Sequence, residues 1–211
     1  MDMLDGEGGV RDYNLERLIM LSDGVFAIAL TLLALELRPP EHWDGSALGL
    51  LDGMILPLMA FLISFMSIGF YWTGHRRSFK RFRKADGALT ALNFVLLALV
   101  TLVPVGTRMI IGHGVKGDSV LLYAGLLCAI GVANAALWGY AAFVGRGIID
   151  PAMPFGLRLV IFLILLLVPG TMGTLGVLAG SGGSPWLFVL MGVLWVGVAV
   201  IRRRVGKGYE G

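Results

Sequence analysis

The residues that could do chemistry are a few polar groups in an apolar chain. Ser22 and Asp23 stand in a run, residues 18–37, whose only other polar members are Thr31 and Glu36. Further along come Tyr71, Trp72 and His75, and then Asn93. An acid in so apolar a stretch is costly in lipid and faces protein or water. At matching depths these groups can satisfy one another through hydrogen bonds. Two readings are open. One is a structural clasp between helices. The other is a proton-sensitive or gating network with His75 as its titrating group. Enzymatic signatures are missing: there is no H-E-x-x-H, no P-loop, no G-x-S-x-G and no cysteine pair. The chain therefore reads as no enzyme, with no cofactor and no metal. A T-V-G-Y-G filter is absent too.

The elements that must hold these residues are membrane helices. Hydrophobic residues make up 57% of the chain and charged residues 15%, against roughly 25% charged in soluble domains. Cys128, the single cysteine, lies in an apolar run and reads as a small buried hydrophobe. The run 18–37 has about the 20 residues a bilayer-crossing helix needs, and Pro39 and Pro40 stop it. Further spans are expected at about 48–72, 88–111, 119–144, 159–179 and 186–201. Pro57 can kink the second, and Pro104 lies near the far end of the third. This is an all-α polytopic fold with six transmembrane helices. Residues 1–14 form a mobile N-terminus, 15–204 the membrane domain and 205–211 a tail. The first residues are acidic rather than basic, so the first span reads as a retained helix and not a signal peptide.

At about 100° per residue, the first helix sorts its side chains. Arg17, Leu21, Ile28 and Leu35 fall within roughly 20° of one line, with Leu32 and Thr31 flanking it. Ser22 and Asp23 point about 120–140° away, and Glu36 lies about 80° off the stripe. Such a stripe is either lipid-facing or helix-packing surface, or it has a special role.

An even number of spans puts both termini on one side, and the basic residues choose it. With the N-terminus inside, fourteen of the seventeen Lys and Arg residues fall in inner segments. Only Arg38, Arg108 and Lys116 fall outside. The positive-inside rule places both termini in the cytoplasm. His42 and His113 then lie outside and His75 inside, so the histidines do not converge on a metal. The cluster Arg76, Arg77, Lys80, Arg81, Arg83 and Lys84 suits anionic lipid head groups. Nucleic acid is not expected as a partner.

Arg17-x-x-x-Leu21-Ser22-Asp23-Gly24, followed by Ala27-Ile28 and Thr31-Leu32-Leu33, resembles the R-x-x-x-F-S-D signature of the transmembrane protein 175 family of potassium channels. Tyr71-Trp72-x-x-His75 with Phe79, then Asp86, Asn93 and Pro104, extend the likeness over roughly residues 14–107. The resemblance implies a six-helix subunit, a homotetramer and a pore lined by the first helix of each subunit. It places Ile28, Leu32 and Leu35 in a hydrophobic constriction, with Leu21, Thr31 and Glu36 adjacent to the pore. It assigns Arg17, Ser22, Asp23, Trp72, His75 and Asn93 to the inter-helix network that holds the pore helix. Two positions depart from the pattern: Leu21 replaces the signature Phe, and Arg76 stands where a second histidine is often found.

The expected function is passive, potassium-preferring cation conduction, with potassium as the permeant species. Potassium sheds water more readily than sodium, so a narrow apolar ring favours it modestly without a carbonyl filter, and such a ring can close by dewetting. The alternative is a proton-coupled transporter or a proton-leak channel using Asp23 and His75. A single-repeat chain of this kind suits a prokaryotic plasma membrane by analogy.

Overall fold

A computed structural model describes residues 12–40, 45–115 and 117–180. Six α-helices follow in order: α1 (Tyr13–Ala34), α2 (Ala47–Phe79), α3 (Gly87–Thr101), α4 (Val103–His113), α5 (Asp118–Gly139) and α6 (Phe155–Gly180). A π-helical turn, Tyr140–Val144, continues α5. Among the described residues there is no strand, only an isolated bridge between Phe82 and Ile149. Four helical stretches there are long and apolar enough to cross a membrane: Tyr13–Ala34, Ala47–Phe79, Gly87–His113 and Asp118–Val144. A shorter apolar stretch, Phe155–Leu167, opens α6. His42, Trp43, Lys116, the sixth expected span at 186–201 and the tail lie outside the described residues.

Local chemistry sets the helix starts. Asp12 caps α1 by accepting from the Asn14 N–H at 3.1 Å, and its other carboxylate oxygen accepts from the Ala85 N–H at 3.2 Å. Asp86 caps α3 through the Leu89 N–H at 2.8 Å and also accepts from the Tyr140 hydroxyl at 2.8 Å. Each acid thus satisfies a helix start and ties it to a second element. Asp12 belongs to the region expected to be mobile, yet it anchors α1.

Two elements differ from the sequence expectation. The second helix was expected to end near Trp72; α2 continues to Phe79. Its 33 residues span about 50 Å, well beyond a hydrocarbon layer of about 30 Å. Arg76 and Arg77 therefore ride on the last helical turn rather than in a loop, where the helix dipole favours cations. The third span is not one rod. Pro104 lacks an N–H, so α3 stops at Thr101 and α4 restarts at Val103, with Pro104 in its first turn.

The core runs from the packing of α1 on α2 and α3 to the packing of α3 on α5. It includes Leu15, Phe26 and Leu33 from α1, Leu89 and Leu96 from α3, and Ile130 and Trp138 from α5. Helix α5 packs most extensively on α6. There a Cβ on Gly131 would stand only 2.7 Å from the Pro169 ring, so the close crossing needs glycine. Arg158, counted above as a topology charge, is spent on structure. Its guanidinium donates to the carbonyls of Ala142, Asp150 and Met153 and gathers the loop before α6.

Candidate functional site

Helix α1 presents two unlike faces. Leu15, Leu18, Ser22, Phe26, Ala29 and Leu33 are buried. On the other face Leu21, Ile28, Leu32 and Leu35 are 42%, 59%, 39% and 66% exposed. Thr31 shares that face. Its hydroxyl donates to the Ile28 carbonyl at 2.8 Å, which leaves the oxygen's lone pairs directed outward as an acceptor. Four large aliphatic side chains and a hydroxyl thus form one continuous stripe with no cover from the described residues of the chain.

The buried face is held by a hydrogen-bonded relay. Ser22 Oγ donates to the Leu18 carbonyl at 2.7 Å, a back-bond typical of serine inside a helix. It accepts from Asn93 Nδ2 at 3.0 Å. Asn93 Oδ1 meets His75 Nε2 at 2.8 Å. With the amide so oriented, His75 donates from Nε2. The His75 ring stacks on Phe79 at a centroid distance of 4.1 Å and tilts against Phe26 at 5.6 Å. Ser22, His75 and Asn93 are all buried, and both polar contacts that join them are made at hydrogen-bond distance.

Asp23 belongs to a second group. Its Oδ1 accepts from Trp72 Nε1 at 2.7 Å, and the Arg76 guanidinium lies over the Trp72 ring at 5.0 Å. The residues grouped together on sequence grounds therefore fall into two sets, Ser22–Asn93–His75 and Asp23–Trp72–Arg76. Arg17 joins neither. Its guanidinium stands over the Tyr13 ring at 5.6 Å, in keeping with its angular position on the stripe. Tyr71 also points away, donating to the Leu127 carbonyl at 2.7 Å.

At the other end of α1, Glu36 approaches Arg108 of α4 at 3.9 Å. The chain turns after Ala34, with the Glu36 N–H donating to the Leu33 carbonyl at 3.1 Å. This turn carries the carboxylate towards α4.

Sequence reasoning overlooked a third polar cluster. Ser64 Oγ lies 2.7 Å from both Thr107 Oγ1 and the Tyr123 hydroxyl, joining α2, α4 and α5. Isolated hydroxyls in apolar runs were the available signal, but nothing in their spacing pairs them. Among the described residues no group of His, Cys, Asp and Glu could hold a metal ion.

A bundle of apolar helices that exposes aliphatic faces on α1 and α2 and satisfies its polar relays internally defines an integral membrane protein. Comparison with known proteins narrows the class. The family described as "Endosomal/lysosomal potassium channel TMEM175" matches residues 17–104. A protein named as a potassium channel from Chamaesiphon minutus is 38% identical over 62% of this chain and 67% of its own length. One so named from Streptomyces collinus is 33% identical over 64% of this chain and 68% of its own length. The crystal structure of a lysosomal potassium-selective channel TMEM175 homolog from Chamaesiphon minutus superposes with a TM-score of 0.67 at 29% identity, covering 90% of this chain and 97% of that one. The chain belongs to the TMEM175 family. The structural likeness reaches well past residues 14–107, where the sequence resemblance was legible.

Proposed function

We propose that this chain is a potassium-preferring cation channel that conducts passively through hydrophobic constrictions. The active form is a homotetramer of six-helix subunits, with α1 of each subunit lining the pore. Ile28, Leu32 and Leu35 form the constriction. Leu21, Thr31 and Glu36 are adjacent to the pore. The relay through Ser22, Asn93 and His75, with the Asp23–Trp72 bond beside it, holds α1 in place. Both termini face the cytoplasm of a prokaryotic plasma membrane, and the basic segment Arg76–Lys84 meets anionic lipid head groups.

The observation that carries this reading is the exposed stripe on α1. Ile28 and Leu35 are more than half exposed on a helix whose opposite face is clamped by hydrogen bonds. Rings of such side chains around a fourfold axis make narrow, poorly wetted gates. The bacterial relatives named as potassium channels support the choice of ion. A proton-coupled transporter is less favoured, because Asp23 and His75 each bond to a different partner, Trp72 and Asn93.

The test is ion flux from proteoliposomes holding a potassium gradient, with sodium as the paired control and Ile28→Asn alongside. The expected result is rapid potassium flux exceeding sodium flux, with rate or selectivity altered in the variant. Unchanged conductance and selectivity in Ile28→Asn would remove Ile28 from the constriction. No flux of either ion across several pH values and voltages would overturn the channel reading.

A further inference from the structure

Among the described residues a cleft of about 430 Å3 opens between α2, α5 and α6, away from the α1 stripe. This volume is within the range of small-ligand pockets, about 300–1,000 Å3. Its walls are graded. Phe65 and Phe70 of α2 and Leu165 of α6 line the apolar part, while Gly74, Arg77 and Asn134 line the polar end.

The polar end offers donors. Asn134 is only 4% exposed, and its Oδ1 is enclosed by protein and takes no part. Nδ2 is not sealed off in this way: it faces Gly74, 3.5 Å from where a Cβ would stand. Glycine at 74 thus leaves the amide N–H bonds open to the cleft, and no described residue accepts from them. An amide nitrogen donates and does not accept. Arg77, at the mouth, is exposed, and the ion pairs among the described residues, Arg83–Asp150 and Arg108–Glu36, leave it without a carboxylate. Arg81 donates to the Arg77 carbonyl at 3.0 Å, and its pKa is lowered by burial and then by the like charge of Arg77. Both groups therefore call for an acceptor, and the mouth calls for a negative one.

The spacing of these two demands restricts the ligand. Gly74 packs beside Asn134, and Arg77 lies three residues on, about 4.5 Å along the axis. The occupant needs an anionic group, a neutral acceptor a few bonds deeper and then an apolar chain. Free phosphate has no chain to cover the phenylalanines. A fatty acid has nothing polar below its carboxylate. A diacyl glycerophospholipid has ester carbonyls just below its phosphate, and these accept without donating. We propose that the cleft binds an anionic diacyl glycerophospholipid. Its phosphate pairs with Arg77, an ester carbonyl accepts from Asn134 Nδ2 and one acyl chain lies along Phe65, Phe70 and Leu165. This site narrows the reading of Arg76–Lys84 as a head-group surface, on which it rests, to one arginine and one cleft.

The test uses the full-length protein in neutral detergent, with binding of dioleoyl phosphatidylglycerol measured by native mass spectrometry. Its diether analogue, which keeps the phosphate and lacks the ester carbonyls, is the paired ligand. The expected result is an affinity about three- to tenfold higher for the diester. Asn134→Leu should erase that preference without loss of thermal stability, since it also removes the enclosed Oδ1. Arg77→Gln should weaken binding about tenfold. Lys80→Gln, at an exposed position that does not line the cleft, should weaken it less than about twofold. Equal affinity for diester and diether, or a preference that survives Asn134→Leu, would overturn the site. Equal losses in Arg77→Gln and Lys80→Gln would overturn it too and leave only a diffuse attraction between the basic segment and lipid. Absence of binding to the unaltered protein would remove the head-group reading as well. Efficient cross-linking of Leu165→Cys to a cysteine placed within residues 186–201, in a Cys128→Ala background, would also overturn the site, because the chain itself would then fill the cleft.

Discussion

The two faces of α1 share one backbone and are both largely aliphatic, yet they solve different problems. One face sets Leu15, Phe26 and Leu33 against α2 and α3 and threads a polar relay between them. The other keeps Leu21, Ile28, Leu32 and Leu35 out of the chain's own core. In lipid, apolarity alone does not bury a side chain, because acyl tails solvate leucine as well as protein does. Interdigitation and hydrogen bonding to neighbouring helices make the difference. Ser22 supplies the hydrogen bond on one face, and among the described residues Leu21, Ile28, Leu32 and Leu35 on the other have no polar group to match it. A helix clasped on one side presents its free side in a fixed orientation, which a symmetric constriction requires.

Substitutions that treat the faces differently probe this contrast. The largest effect is expected from Phe26→Ala. Phe26 is 1% exposed and packs beside the His75 ring, and its loss should cost about 3–5 kcal/mol. Thermal unfolding in detergent reads this, and an equal loss from Ile28→Ala would erase the distinction between the faces. Next comes Asn93→Ala, which strands His75 Nε2 and removes the donor to Ser22. A cost of about 1–3 kcal/mol is expected. A cycle with Ser22→Ala should show non-additive losses, whereas strict additivity would mean the relay is not a unit. The smallest effect is expected at the far end, from Arg108→Gln. Its pairing with Glu36 is long and partly exposed, so stability should change little. Potassium flux at low ionic strength should rise by less than about threefold and return to the wild-type value at high salt. A salt-independent change would break the electrostatic reading.

Much of this contrast was legible in the sequence, for a simple reason. Helical periodicity alone put Ile28, Leu21 and Leu35 on one line and Ser22 and Asp23 on another, and burial follows that division. What periodicity lacks is the partner. It could not show that Asp23 turns to Trp72 while Ser22 turns to Asn93, because that depends on how α2 and α3 are rotated about their own axes. It also misjudged where α2 ends. A run of arginines reads as a loop by composition, although the last turn of a helix leaving the membrane suits them well. Asp12 was passed over within an acidic, glycine-rich stretch, even though an Asp just before an apolar periodic run is a recognisable start signal. Arg158 was visible only as a charge, since nothing local announces a guanidinium that will collect carbonyls.

The interruption at Leu102 has a mechanical consequence. Pro104 offers no N–H to the carbonyl four residues earlier, so the third span is a jointed strut rather than a beam. Its first piece, α3, is fastened to α1 through Asn93, and its second, α4, carries Arg108 towards Glu36. A push on α4 is absorbed at the joint before it reaches the Asn93 fastening. The Glu36 end of α1 can therefore shift while its anchorage at Asn93 keeps its registration.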